Sequence, residues 1–371
     1  MNMSNSDELV MRLVHYFITK ENYQPILVNG VENEIWLENL DSKYEVIRIN
    51  SNYIHNNEQL DFDLYKTNSV IKQIKKKTLS LKCKSLNIFL NMGENVKYED
   101  SRKNMDILTI DVDKGIKGNK LLTLFPDFDN DEISSTDNMD FFINVTNDIN
   151  TKTEEKNRLF EKVFKKKPIV VTYILIFVNI LIFMLSIAGI LNVNDFSMNK
   201  IGILNHEYYR LITAAFFHAD LIHLLCNMYS LAIIGKEVET VLGKKKFIFV
   251  YFMSAILGSL FSGVLANYSS IGSSGAIFGI MGALVYFGYH YRLYLGNVIM
   301  TGIVPVIILN LVIGFMNPMI DNFGHIGGLI GGVFSGMIVG IEGKTSKSDT
   351  INGIIITTIL IGFLLYMMLF R

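Results

Sequence analysis

Long apolar stretches alternate with short polar ones in the second half of the chain, whereas the first half mixes the two kinds of residue over short distances. A helix needs about 20 apolar residues to cross a bilayer. Seven stretches reach or approach that length, at approximately residues 169–190, 211–235, 247–267, 275–291, 297–314, 324–341 and 351–370. Seven such segments in series argue against buried helices of a soluble protein. The pattern therefore predicts a polytopic α-helical membrane protein with a bundle of seven transmembrane helices.

The polar half, residues 1–136, predicts a small soluble α/β domain. Helical spacing is present in "DELVMRLVHYFITK" and over residues 59–78, and the segments "YEVIRI", "SLNIFLNMG" and "MDILTIDVD" are typical of strands. "PILVNGVENEIWLENL" predicts two further strands joined by a turn at Asn29-Gly30. Residues 137–167 predict a charged helical linker. The sequence does not assign a function to this domain, and a cytosolic regulator or partner is the default expectation.

Charge divides the chain in the same way. The whole chain has 34 Lys and Arg and 35 Asp and Glu, but only 10 and 8 of them follow residue 167. The net charge of −1 gives no reason to expect binding to nucleic acid. Cys83 and Cys226 lie in different halves, which argues against a disulfide and against a metal cluster. The polar N-terminus predicts no cleavable signal peptide.

Basic residues predict the orientation in the membrane, because Lys and Arg are enriched in cytoplasmic loops. With seven spans, the basic residues beside the spans fall on one side, namely Lys165, Lys166, Lys167, Lys244, Lys245, Lys246, Arg292, Lys344 and Lys347. The loop with Asp321 falls on the other side. We therefore expect a multi-pass protein of the cell membrane with a cytoplasmic N-terminus and an extracytoplasmic C-terminus.

Five polar side chains interrupt the apolar segments at one predicted depth. Span four begins near Ser274, span six begins near His325, and the outer part of span two contains His218, His223 and Asn227. All three spans run inward, so these side chains share the outer half of the membrane. Polar residues inside a membrane are costly, and they are often functional.

Glycine spacing predicts that spans four and six are neighbours. Span six repeats Gly every fourth residue from Gly324 and Gly328 onward, and span four has Gly275 and Gly279 at the same spacing. Small residues at this interval let two membrane helices approach closely. Ser274 and His325 would then meet, and an imidazole can remove the proton of a serine hydroxyl. The simpler alternative is that the serine bonds its own helix and the glycines only pack.

A serine nucleophile also needs donors for the negative oxygen that develops in the transition state. Ser274 lies at a predicted helix start, where backbone N–H groups are unpaired and the helix dipole favours an anion. His223 and Asn227 are four residues apart, hence on one face of span two, and both can donate. The alternative is that these two side chains bond to each other.

These residues resemble the rhomboid family of intramembrane serine proteases. The family's GxSG motif corresponds to Gly272-Ser273-Ser274-Gly275, which makes Ser274 and not Ser273 the nucleophile. Its catalytic histidine corresponds to His325 in "GHIGGLIGG", and its HxxxN pair, which assists the oxyanion, corresponds to His223 and Asn227.

Smaller elements of the family are also present, with two departures. Arg210 and His218 match an outer-loop aromatic-Arg pair and the histidine after it, although Tyr209 replaces the usual Trp. Phe278 stands where well-known members have a Tyr stacked on the catalytic histidine. A GxxxE motif appears as Gly235 and Glu239.

The resemblance implies a protease core of six transmembrane helices over residues 168–343 and an additional helix over 344–371. It implies a serine endopeptidase with a Ser274–His325 dyad, and no aspartate is evident to orient the histidine. The substrates would be transmembrane proteins cut near the outer face of the lipid bilayer, and no metal or organic cofactor is needed. Supporting residues would be Gly272, Gly275, Phe278, His218, Arg210, Gly324 and Gly328. The alternative is a catalytically inactive relative that binds membrane clients.

Three other functions fit less well. A zinc protease needs HExxH, and "HEYYR" at 206–210 ends in Arg210 instead of the second histidine. A transporter should show internal repeats and acidic residues at mid-membrane, and neither is evident. Asp111 and Asp113 suggest a nuclease or metal site only weakly, because a strand that runs into a turn explains them as well.

Overall fold

The computed structural model describes residues 5–28, 30–78, 80, 82–112, 120–130, 138–266 and 268–370. The chain divides into two compact units, Met1–Arg158 and Leu159–Arg371. One helix, Asn138–Phe164, occupies most of the stretch predicted as a helical linker. The four domains expected from the sequence, with their boundaries, stay a prediction.

The first unit contains a mixed six-stranded sheet, as the alternating segments predict. The strands are β1 Gln24–Ile26, β2 Glu34–Glu38, β3 Val46–Ile54, β4 Ser85–Met92, β5 Ser101–Arg102 and β6 Met105–Thr109. Their order is β1-β2-β3-β4-β6-β5; β3, β4 and β6 are parallel, and the remaining pairs are antiparallel. The helices are α1 Asn5–Thr19, α2 Asn57–Thr78, α3 Lys120–Leu124 and α4 Asn138–Phe164, with a 3-10 turn at Pro126–Asn130. Asn29 of the predicted turn and Asp113 lie outside the described residues.

A buried ion network joins β2, β3 and α2. The guanidinium of Arg48 on β3 is fully buried and donates to Glu34 at 2.7 Å and to Asp63 at 2.8 Å. Burial alone would raise the pKa of Glu34, but hydrogen bonds and the charges of Arg48 and Lys66 outweigh burial and hold that pKa below its usual value. These charged groups therefore satisfy one another inside the domain.

The second unit consists of helices joined by short loops. They are α5 Val171–Ile187, α6 Val193–Phe196, α7 Lys200–Leu204, α8 Arg210–Thr213, α9 Leu221–Ser230, α10 Lys236–Leu242, α11 Lys244–Leu265, α12 Ser274–His290, α13 Arg292–Val298, α14 Val304–Met316, α15 Asn322–Val339 and α16 Lys347–Phe370. A π-helical turn at Leu231–Gly235 joins α9 to α10, and another at Ile299–Ile303 joins α13 to α14.

Five of the resulting helices are long and apolar enough to cross a membrane: Leu221–Leu242, Lys244–Leu265, Tyr294–Met316, Asn322–Val339 and Lys347–Phe370. Two others, α5 and α12, are apolar and have 17 residues each, which corresponds to about 26 Å of helix. The five helices make the chain a multi-pass membrane protein, and the seven helices together lie at the seven stretches expected from the sequence.

The predicted limits of span two, 211–235, are wrong at both ends. The helix runs from Leu221 to Leu242, and residues 210–216 form α8 and a 3-10 turn outside it. Asp220 causes the late start, because its side chain accepts the His223 N–H at 2.8 Å and caps the helix. The apolar run before Asp220 belongs to the segment between α5 and α9, so hydropathy alone misplaced it.

The C-terminal end of the same helix extends past the predicted residue 235 to Leu242, and the acidic Glu239 in this extension is fully hydrogen-bonded. Glu239 is completely buried. It accepts hydrogen bonds from the backbone N–H groups of Val170, Val171 and Thr172 at 2.8–2.9 Å, and from the Thr172 hydroxyl at 2.8 Å. Glu239 therefore caps the start of α5, and Gly235 leaves room for Thr172 beside it.

This cap predicts a large effect on stability. Glu239→Ala leaves three backbone N–H groups without an acceptor, and a hydrogen bond to a charged group contributes about 1.5–3 kcal/mol. We expect the free energy of unfolding to fall by at least about 3 kcal/mol. Thr172→Val removes only the hydroxyl and should cost about 1 kcal/mol. Unfolding in mixed detergent–SDS micelles measures both, and equal losses would contradict the capping role.

Candidate active site

Ser274 and His325 are in direct contact. Ser274 is the first residue of α12, and its Oγ lies 2.9 Å from Nε2 of His325, which is in the first turn of α15. The contact joins residues 51 positions apart in the sequence. His325 is buried, and its Nδ1 has no hydrogen-bond partner among the described residues.

The two helices can approach this closely because glycines replace side chains where their backbones cross. A Cβ on Gly328 of α15 would overlap the carbonyl group of Gly275 of α12, and a Cβ on Gly332 would overlap that of Gly279. Gly324 fits against Gly258 of α11 at the same crossing. The predicted glycine stripes therefore face each other over these positions.

The four-residue glycine spacing of span six, which the sequence extends through Gly332 and Gly336 to Gly340, does not face small residues over its whole length. Gly336 faces the ring of Tyr286 instead of a small residue. Gly340 has a φ of +63° and follows the last residue of α15, so it ends the helix.

An aromatic ring fixes the plane of the imidazole. Phe278 lies one turn after Ser274, and its ring stacks on His325 with a centroid distance of 4.2 Å and an interplanar angle of 9°. This is the stacking contact expected from the sequence, without the hydroxyl of a tyrosine.

Potential donors surround Gly272, two residues before Ser274. Gly272 has a φ of +119°, and a Cβ there would lie 2.8 Å from Nε2 of His223 and 3.6 Å from Nδ2 of Asn227. The Asn227 Nδ2 is buried and has no hydrogen-bond partner among the described residues, so its N–H groups are available to a ligand. Within the described residues, His223 and Asn227 do not bond to each other; the Nδ1 of His223 accepts from the Ala219 N–H at 3.5 Å.

His218 lies behind His223. The two rings are 5.0 Å apart and meet edge to face. His218 is buried, with the backbone of Phe216 as a polar neighbour. Its contact with His223 is this edge-to-face packing of the two rings.

Arg210 lies in the segment between α5 and α9, where its side chain hydrogen-bonds to backbone carbonyl groups. It donates to the carbonyl groups of Asn194 at 2.7 Å and Ser197 at 2.8 Å, and to the carboxylate of Glu207 at 2.6 Å. Gly202 has no room for a side chain beside it. Arg210 thus organises residues 194–210 and has no hydrogen bond to the Ser274–His325 pair.

Sequence reasoning missed two residues at the site, Ser270 and Asp321. With Gly272, Ser274 and Gly324 they line a small cavity of about 20 Å³, which is enough for one water molecule. The sequence signal for Asp321 is its position just before the predicted start of span six, because acidic residues are common N-caps of helices.

Ser273 occupies a different environment from Ser274. Its hydroxyl is fully buried beside the Tyr251 hydroxyl, which also neighbours Asn179. These groups lie close together, but the Ser273 and Tyr251 hydroxyls have no formed hydrogen bond among the described residues. No sequence pattern indicates this buried polar group behind the start of α12.

The fold and the site together define a multi-pass membrane protein whose helix bundle brings a serine and a histidine into contact. Residues 205–342 match the rhomboid domain. The chain belongs to the rhomboid family.

Named relatives include both proteases and an inactive protein. The chain is 29% identical over 360 residues to rhomboid protease GluP of Bacillus subtilis (strain 168), covering 92% of this chain and 71% of that protein. It is 33% identical over 135 residues to the putative rhomboid protease YdcA of the same organism, covering 36% of this chain and 68% of the relative. It is 37% identical over 129 residues to inactive RHOMBOID-like protein 8 of Arabidopsis thaliana, covering 34% of this chain and 36% of the relative.

The glycine crossing predicts a sharp difference between two Gly→Ala variants. Gly328→Ala forces a methyl group against the Gly275 carbonyl, and overpacking of this kind costs about 1–3 kcal/mol. Gly362→Ala, in α16, meets nothing within 4 Å and should leave stability unchanged or slightly raised. Thermal unfolding in detergent measures both. A Gly328→Ala protein as stable as its Gly362→Ala control would contradict the close crossing.

Proposed function

We propose that this protein is an intramembrane serine endopeptidase that cuts transmembrane proteins near the outer membrane face. The observation that carries the proposal is the 2.9 Å contact between Ser274 Oγ and His325 Nε2. In that geometry the neutral imidazole accepts the hydroxyl proton while Oγ attacks the carbonyl carbon of the substrate. The same imidazole then donates the proton to the leaving amine, and an acyl-enzyme remains on Ser274.

Asn227, His223 and the helix start are proposed to stabilise the tetrahedral intermediate. The unpaired Asn227 amide and the His223 imidazole lie beside Gly272, and the backbone N–H groups at the start of α12 are oriented by the helix dipole. His325 acts as one half of a dyad in this proposal. The nearby Asp321 carboxylate accepts hydrogen bonds from the Gly324 N–H and the Ser270 hydroxyl, and it has no side-chain hydrogen bond to His325.

Hydrolysis of the acyl-enzyme needs water beside Ser274. The small cavity against Ser274 has polar walls from Ser270 and Asp321 and has room for one molecule. His325 would activate this water as it activates the serine. Because peptide bonds inside a helix are shielded, the preferred substrate is a membrane segment that unwinds easily.

The alternative is an inactive protein that binds membrane clients. The similarity to inactive RHOMBOID-like protein 8 is the observation that supports this alternative. The presence of both Ser274 and His325, in hydrogen-bonding contact and with Phe278 stacked on the imidazole, favours the enzyme.

Activity-based labelling distinguishes the two functions. A fluorophosphonate probe in detergent should label the wild type and should not label Ser274→Ala, which lacks the nucleophile. Ser273→Ala is the matched control and should label at nearly the wild-type rate, because the Ser273 hydroxyl makes no formed hydrogen bond. A folded wild type that does not react would support the inactive alternative. A reactive Ser274→Ala and an inert Ser273→Ala would mean that the motif register is off by one.

We also propose that the N-terminus is cytoplasmic and the C-terminus extracytoplasmic, as the basic loops indicate. In a variant without Cys83 and Cys226, Met319→Cys should react with an impermeant thiol reagent in intact cells. Met319 is 90% exposed in the loop before α15. Ser346→Cys, an exposed position before α16, should react only after the cells are opened. The reverse pattern would overturn the orientation and the side on which substrates are cut.

A further inference from the structure

One carboxylate connects the two segments that carry Ser274 and His325. Asp321 is the N-cap of α15, and its Oδ1 accepts the Gly324 N–H at 2.9 Å. Its Oδ2 accepts the hydroxyl of Ser270. Asp321 is four residues before His325, and Ser270 is four residues before Ser274.

The connection depends on side chains, because the backbone of the Ser270 segment bonds elsewhere. Ser270 exchanges backbone hydrogen bonds of 2.8 and 2.9 Å with Met198 in the outer loop, and the Gly272 N–H donates to Ala214 at 2.9 Å. Among the described residues, the hydrogen bonds from residues 268–272 to the start of α15 all end on the Asp321 carboxylate. They come from the Ser270 hydroxyl and, at a marginal 3.5 Å, from the Tyr268 hydroxyl.

We propose that Asp321 is a positioning residue that holds Ser274 and His325 at reacting distance, and this inference rests on the proposed function. The glycine crossing brings the two helices together beside the reacting pair, since Gly275 packs against the Gly324 carbonyl and Gly328 against the Gly275 carbonyl. The Ser270–Asp321 hydrogen bond adds a second connection, between the segments that precede the two helices. With both connections in place, neither helix start can shift or rotate freely relative to the other. A displacement of about 1 Å between reacting groups can cost about 10²-fold in rate.

Three variants distinguish the cap, which is the hydrogen bond from the Gly324 N–H to Asp321, from the tie, which is the Ser270–Asp321 hydrogen bond. Ser270→Ala removes the tie and leaves the cap of α15 intact. Asp321→Ser keeps a good N-cap residue, but its side chain is too short to reach Ser270. Asp321→Asn keeps an oxygen for the cap, and its amide can donate to the Ser270 hydroxyl, so it should rescue the tie without the charge. Tyr268→Phe is the matched control, because it removes only the 3.5 Å contact.

The test is a kinetic comparison in detergent, with fluorophosphonate labelling and with cleavage of a generic transmembrane substrate. We expect Ser270→Ala and Asp321→Ser each to lower the labelling rate and kcat by about 10- to 100-fold, with KM nearly unchanged. The double variant should be no slower than the slower single variant, because both changes break one connection. Asp321→Asn and Tyr268→Phe should stay within about threefold of the wild type. Thermal unfolding of each variant shows that the compared proteins are folded.

Several results would overturn the positioning role. They are a Ser270→Ala protein that reacts at the wild-type rate, losses that multiply in the double variant, or losses confined to KM. An Asp321→Asn protein as slow as Asp321→Ser would show that the charge and not the tie is needed. A folded wild type that neither labels nor cleaves overturns the proposed function itself, so the two failures are distinct.

Discussion

The backbone contact between α12 and α15 is the constraint on which the rest of the second unit depends. A side chain at Gly328 or Gly332 would overlap the carbonyl groups of Gly275 or Gly279. Since lipid tails are as apolar as the helix surfaces, membrane helices associate mainly through such close packing. The crossing brings the two helix starts together, and the Ser274–His325 contact of 2.9 Å follows from it.

Three carboxylates of the second unit cap helix starts. Glu239 caps the start of α5, Asp220 caps α9, and Asp321 caps α15. Unpaired backbone N–H groups are costly in a membrane, so these carboxylates stabilise helices that begin there. The Asn227 amide is one of several buried polar groups without a hydrogen-bond partner among the described residues, and it lies beside Gly272 of the serine motif. Oxyanion stabilisation requires unpaired donors beside the nucleophile. At other buried positions an unpaired donor only lowers the stability of the fold.

The named relatives of this chain include rhomboid protease GluP and inactive RHOMBOID-like protein 8, so family membership alone does not decide activity. The arrangement of individual residues carries that argument here. Phe278 holds the imidazole plane by stacking, and Asp321 links the segments that precede Ser274 and His325. Activity in this scheme depends on distances between helix starts, which small changes in the outer loop can alter while the bundle stays intact.

The sequence by itself predicted the helical bundle, most strands of the first unit and the Ser274–His325 pair. Hydropathy, the alternation of apolar and polar residues, and the spacing of Gly, Ser and His are local patterns that can be read from the sequence without a structure. The start of span two was predicted too early, because hydropathy does not distinguish the apolar residues before Asp220 from the helix that Asp220 caps. Only the tertiary structure decided the roles of Ser270, Asp321 and Glu239. Each of these residues acts through a partner at least 51 residues away in the sequence, and no local pattern encodes such a contact.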